Sequence, residues 1–450
     1  MAAEKHRDED RIFDRIHAAA RSLGAPDVEA IVGRGAEALT RFANNTIHQN
    51  VAMETTFVSV RVALEGRTAR ATTNHADDDA LRRVVENAVA LTKALPEDEE
   101  EPLPLASPAN ITSVNRFDEA TAETTPEGRA QAVCEAIRAA DAAGQTAAGI
   151  FSTEHTFQSI FNSAGVHATH AETMAHFSIT TMLGDSSGWA KASATHRSSL
   201  DPLAMALRSV EKARLSRDPL ELPPGEYTVI LEPAAALDLI GQMFGDFGGT
   251  ALADQRSFLT GRMDEKLFGD NIHIFDDVYH PLQAGAPFDG EGVPRQKLTL
   301  VEAGFPKQVA YSRLCAEREG TEPTGHGFPL PNEAGEAPVN IVIAGGDTSL
   351  EQMIAGTERG ILVTRFWYIR EVDPYEKLMT GMTRDGTFLI ENGKLTRGVR
   401  NFRFNQSLIE MLNNVEAMSP PVRSSGEEAF DLVAPAMKVN NFHFSEVTKF

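Results

Sequence analysis

Cysteine is almost missing from the 450-residue chain: Cys134 and Cys315 are the only two, too few for a disulfide framework. No apolar run reaches the roughly 18 residues of a spanning helix. The opening residues, Met1 to Asp10, offer neither an apolar segment nor a small-residue cleavage site, so no secretory signal is read there. Together these absences predict a protein of the reducing cytoplasm. Basic charge is also scarce, with 42 Lys and Arg against 64 Asp and Glu, a net charge of −22. Nucleic-acid binding needs a surplus of cations on one face, and this composition argues against it. None of the thirteen histidines is followed by Glu, which removes the His-Glu-x-x-His zinc helix. A Gly-x-Ser-x-Gly elbow, a Walker loop and a strand-linked Gly-x-Gly-x-x-Gly are missing too, leaving nucleotide chemistry without support.

What is present suits a globular protein: 42% apolar and 24% charged residues, in a chain long enough for two or three domains. A helical stripe runs from Arg11 to Leu23 and stops at Gly24. Short strands follow at residues 29–32, 38–42, 47–51 and 56–62, the last sending Val58, Val60 and Val62 to one face and Ser59 and Arg61 to the other. Asp77 to Asp79 open a helix running to Ala94, and Pro126 opens another that closes at Gly144. Between them, Pro96 to Pro104 reads as a solvated loop, because its prolines lack donors and its adjacent carboxylates repel. A second meander is predicted over 146–154, 156–162 and 166–183, then a helix over 202–217. The Pro- and Gly-rich stretch Asp218 to Gly225 marks a boundary. The expected class is α+β in two domains: residues 1–220 with antiparallel sheets and helices, and a mainly β domain over 221–450, in which Asn392-Gly393 signals a hairpin.

Candidate chemistry is sparse. His155, His167, His170 and His176 crowd one region, but strand alternation puts only His170 and His176 on a shared face. His273, Asp276, Asp277 and His280 form a second group in which a carboxylate–histidine metal site is conceivable, although a plain strand exit explains the acids equally. Neither cysteine adjoins a histidine that would activate it. At 344–351, Thr348 and Glu351 suit a capping box better than an anion site. Arg256 and His326 lie in Gly-rich loops where a peptide could approach the backbone, and a structural role is the alternative for both.

Five blocks in order carry a resemblance: Leu39 to His48 (LTRFANNTIH), Phe161 to Gly165 (FNSAG), Gly360 to Phe366 (GILVTRF), Leu389 to Arg397 (LIENGKLTR) and Pro435 to Phe444 (PAMKVNNFHF). The chain resembles the TldD/PmbA family. The resemblance implies a cytoplasmic protein with an α/β amino-terminal and a mainly β carboxy-terminal domain, forming dimers around a peptide-accepting chamber. It also implies two subunit types: a catalytic TldD type, whose zinc helix carries two His and a Glu base with a Cys ligand near the chain end, and a PmbA/TldE type lacking them. Gly241, Gln242 and Asp246 stand where the catalytic type has His, Glu and His, and Met418-Ser-Pro420 stands near the Cys position. Glycine has no side chain to offer a metal, so this chain is expected to bind none, zinc belonging to a TldD-like partner. The implied activity is degradation or maturation of unfolded peptides by the pair. The alternatives are a homodimeric peptide-binding scaffold, and a peptidase using His273, Asp277 and His280.

Overall fold

The computed structural model describes residues 2–96 and 103–448, with side chains from residue 8 onward. Most of the expected solvated loop at 96–104 lies outside the described residues. One sheet holds every strand of the first half, in the order β3-β2-β1-β4-β5-β6, all antiparallel: β1 (Asp27–Ala43), β2 (Thr46–Leu64), β3 (Arg67–Thr73), β4 (Thr146–Asn162), β5 (His167–Leu183) and β6 (Ser186–Ala194). Three of these are longer than the sequence suggests, since the segments at 29–32 and 38–42, at 47–51 and 56–62, and at 146–154 and 156–162 fuse pairwise. Gly35, in the expected gap, permits close contact, as Gly149 does within its strand: a Cβ at Gly35 would lie 2.7 Å from the His155 carbonyl, and one at Gly149 2.1 Å from that of Ser178.

Helices cover one face. α1 (Ala2–Ser22) and α2 (Asp78–Ala94) bury Ile12, Ile16, Leu81, Val84 and Val85 against Val58, Val60 and Val62. The Asp77 carboxylate accepts the Ala80 N–H at 3.0 Å and fixes the start of α2. The short α3 (Glu119–Ala122) leads to α4 (Pro126–Ala142), which packs with α5 (Pro202–Leu215) over β4 to β6. The opposite face is also covered. Arg61 is 1% exposed and donates to Glu29 at 3.1 Å, while Arg70 joins Glu29 (2.6 Å) to the Leu330 carbonyl (2.6 Å).

The second half builds two sheets around one core. β8 (Ile274–Asp276), β9 (Leu298–Glu302), β10 (Phe305–Pro306), β11 (Ile341–Ile343), β17 (Val422–Ser424) and β18 (Leu432–Ala434) form the first, in the order β10-β9-β8-β11-β18-β17. The other has the order β12-β7-β19-β15-β13-β14, from β7 (Gly225–Leu231), β12 (Arg359–Asp373), β13 (Leu378–Glu391), β14 (Lys394–Gly398), β15 (Phe402–Ser407) and β19 (Met437–Val447), with β16 (Val415–Met418) beside β19. Because β12 also pairs with β13, this sheet closes on itself. Asn392 and Gly393 turn between β13 and β14 with φ of 50° and 75°, the left-handed pair that a tight hairpin requires. The helices here are α6 (Pro233–Ile240), α7 (Gly249–Ala253), α8 (Arg313–Glu319), α9 (Leu350–Ala355) and α10 (Leu408–Asn413). The cap of α9 falls one residue later than expected: Ser349, not Thr348, accepts the Gln352 N–H, and Gln352, not Glu351, reciprocates. No helix among the described residues is long and apolar enough to cross a membrane.

Candidate functional site

Strand β7 enters the core and Glu232-Pro233 turns it into α6, with proline at the first helical position where its missing donor matters least. Every residue from Ala234 to Ile240 is buried, including Asp238, the only acid in an apolar run. A 3₁₀ segment, Gly241–Phe247, continues the helix. Asp238, Gln242 and Asp246 thus recur at four-residue spacing, the first two meeting one segment and the third another.

Asp238 accepts backbone N–H groups from Glu427 (2.9 Å), Glu428 (3.0 Å) and Phe366 (3.4 Å). Burial raises its pKa to about 6, against those bonds and the nearby Arg365 charge. Gln242 Nε2 donates to the carbonyls of Asp238 (3.2 Å) and Glu428 (2.9 Å). Segment 425–430 therefore lies directly across the helix. Its approach depends on two glycines: a Cβ at Gly426 would stand 2.2 Å from Asp238 Oδ1, and one at Gly241 only 2.3 Å from Ala429 Cβ. The segment is held from the other side by Glu428, whose carboxylate accepts the N–H groups of Tyr368 (2.9 Å) and Ile369 (3.1 Å).

Asp246 faces away from that segment. Its Oδ2 lies 2.5 Å from Lys377 Nζ, and its Oδ1 accepts the Phe258 N–H at 3.3 Å. Lys377 sits between β12 and β13 at φ 46°, its side chain 4% exposed, with Glu371 Oε1 also 2.5 Å away and the Phe258 ring 5.8 Å from its ammonium. Burial pushes the Asp246 pKa up, and the lysine opposes that.

A zinc ion would need imidazole, thiolate or free carboxylate ligands at about 2 Å. The residues present do not fit it: Gly241 has no room for a side chain, Gln242 is bonded to carbonyls, and Asp246 is already matched by an ammonium. Ser419, in the segment aligned with the missing Cys, packs elsewhere, between Gly346 and Ala436. The part of the chain end that hydrogen-bonds the helix is 427–428, between β17 and β18, which also pack on it. Lys377, Asp238 and this segment were invisible to motif matching, although a lone Asp in an apolar helix was a signal available in the sequence.

The other candidates disperse. His167, His170 and His176 approach Asp10, Glu172 and Glu154 respectively, and His155 lies edge-on to Phe117 and Phe157. His273 Nδ1 accepts the Ala303 N–H, His280 Nδ1 that of Leu282, and Asp277 pairs with Lys297. Among the described residues no three His, Cys, Asp or Glu side chains converge as a metal site. His326 is enclosed, its side chain 0% exposed between Asp276 (3.2 Å) and Thr324 (2.9 Å), and presents no atom to a groove. Arg256 is exposed and paired with Asp254. Cys315 is buried, and burial pushes its thiol pKa up.

Three family models match in order: PmbA/TldA metallopeptidase domain 1 over residues 28–92, the central domain over 115–217 and the C-terminal domain over 224–446. A metalloprotease of Methanocaldococcus jannaschii is 27% identical over 48% of this chain and 48% of its own length. The Escherichia coli O157:H7 metalloprotease PmbA is 25% identical over 50% of this chain and 48% of its own. The chain thus spans about half the length of the curated relatives it matches. Among solved structures, TldE from Thermococcus kodakarensis superposes with a TM-score of 0.85 at 21% identity, over 96% of this chain and all of that one, which establishes a common fold. The chain belongs to the PmbA/TldD metallopeptidase family.

Proposed function

We propose that this chain is the PmbA/TldE-like, metal-free subunit of a cytoplasmic peptidase complex acting on unfolded peptides. A TldD-like partner would hold the zinc and activate water on it. The observation that carries this reading is the helix α6 and its 3₁₀ extension, where Ala429 fills the space at Gly241 and Lys377 occupies Asp246. Residues 1–220 and 221–450 would act as the two bodies that shape the chamber. Strand β2 supplies a peptide-binding surface: β3 pairs with it only from Val58 onward, so residues 46–57 keep an open edge for an extended chain. Arg256 is the exposed candidate for a further peptide contact.

The test is native mass and metal content of a tagged chain purified from its own cells. Zinc recovered with a second polypeptide of similar size supports the heteromer. A zinc-free homodimer that binds unfolded peptide without cleaving it would favour the scaffold reading, to which the open edge of β2 also lends itself. Stoichiometric zinc in this chain alone would overturn both.

A further inference from the structure

Away from helix α6, a cavity of about 550 Å³ lies where β6, residues 114–116, the loop 279–282 and Arg423 of β17 meet. In a chain of net charge −22 its wall is unusual, because no Asp or Glu among the described residues lines it. The wall carries Arg116, Arg423, His196, His280, Ser193 and Ser199.

Arg116 is 6% exposed and bonded only to backbone carbonyls, those of Gly285 (2.8 Å), Val278 and His280. Among the described residues no carboxylate pairs with it. Glu172 and Asp277 act on it only through space, Glu172 being taken up by His170 (3.6 Å) and the Gly285 N–H (2.7 Å) and Asp277 by Lys297 (3.0 Å). Arg423 is held by Ser193 Oγ (3.0 Å), the Leu282 carbonyl (3.4 Å) and Asp431 (3.4 Å), a carboxylate behind the wall that also accepts the Ser193 hydroxyl at 2.5 Å. Burial pushes both guanidinium pKa values down, and the Arg423 charge lowers that of Arg116 further. His196 and His280 each use Nδ1 within the protein, on Thr195 Oγ1 and the Leu282 N–H, leaving Nε2 for a ligand.

We infer that this cavity binds an oxyanion, a carboxylate or a phosphate, neutralising Arg116 between the two arginines and the two imidazoles. A buried cation with no carboxylate in contact is costly, and an anion here supplies a counter-charge together with charge-assisted hydrogen bonds. The site is independent of the subunit reading.

Calorimetric titration of the full chain with inorganic phosphate, N-acetyl-dialanine and the amide of that dipeptide tests it. Phosphate or the free acid should bind and the amide should not, the tighter of the two identifying a phosphate-bearing ligand or a peptide carboxyl end. Arg423→Gln, which removes a charged donor, and Ser199→Glu, which adds a repelling carboxylate, should each weaken binding by about tenfold or more. Ser199 is exposed, so its variant decides the matter even if Arg423→Gln fails to fold. Failure of both anions to bind, equal binding of acid and amide, or binding that survives Ser199→Glu would overturn the inference.

Discussion

Lys377 Nζ and Asp246 Oδ2 stand 2.5 Å apart in the interior, joining the turn between β12 and β13 to the 3₁₀ end of helix α6. A fixed ammonium thus supplies the positive charge that this carboxylate meets. Removing the lysine leaves Asp246 buried without a counter-charge, so Lys377→Met should destabilise the fold by roughly 3 kcal/mol. The double variant Lys377→Met with Asp246→Asn should recover part of that loss. Urea unfolding of the wild type, both single variants and the double variant measures the coupling, and additive losses would contradict it.

The contact between Gly241 and Ala429 makes a second pair. Gly241→Ala pushes a methyl into a space 2.3 Å from Ala429 Cβ and should be destabilising by about 1–3 kcal/mol, the range for overpacking. Ala429→Gly in the same chain should restore most of it. Thermal melting shows the rescue, and a Gly241→Ala chain as stable as wild type would mean that 425–430 does not press on the helix.

Glu291 gives the stability a pH dependence. Burial, and next the repulsion of Asp289, raise its carboxyl from 4.5 to about 7. The folded chain then keeps a proton that the unfolded chain releases between those values. Its contribution is therefore fully present below pH 4.5 and lost as pH rises through 7, a change of roughly 3 kcal/mol. Glu291→Gln, neutral throughout, should flatten this fall and unfold at higher urea than wild type at pH 8. Asp238, raised from 3.8 to about 6, adds a decline of the same sign at lower pH.

Arg365 lies over both tryptophans of the chain, 5.1 Å from the Trp189 ring and 5.3 Å from that of Trp367, and pairs with Asp385, itself bonded to Ser187. Arg365→Met leaves Asp385 of β13 with only the exposed Arg384, 3.6 Å away, as its cation and should cost roughly 3 kcal/mol, the low end for a broken buried pair. A shift of tryptophan emission in the folded variant, with an earlier unfolding midpoint, is the expected readout.

Local chemistry made much of the fold legible. Asp77, Thr125-Pro126 and Asp201-Pro202 announce their helices because a cap acts within three residues of itself. Ser349 was misplaced by one position because Thr348 with Glu351 and Ser349 with Gln352 offer the same reciprocal bonds. The gap expected between 32 and 38 holds Gly33 and Gly35, which signal a break locally, while the strand whose close approach Gly35 permits lies far along the chain. The site divides in the same way. Positions 241, 242 and 246 follow from matching the helix after the strand 227–231 to the family's zinc helix, but Lys377 and Glu428 reach it from distant parts of the chain, and nothing in their own neighbourhoods announces it.

The open margin of β2 bears on how the chain is handled. From Thr46 to Phe57 it contains neither lysine nor proline, and Glu54 is its only carboxylate. Val51, Met53 and Phe57 are exposed along it. Glu54 and the bulge at His48 are slight guards against lateral growth, so concentrated stocks of the isolated chain should aggregate through this margin. An extended peptide laid along the margin should then keep the isolated chain in solution.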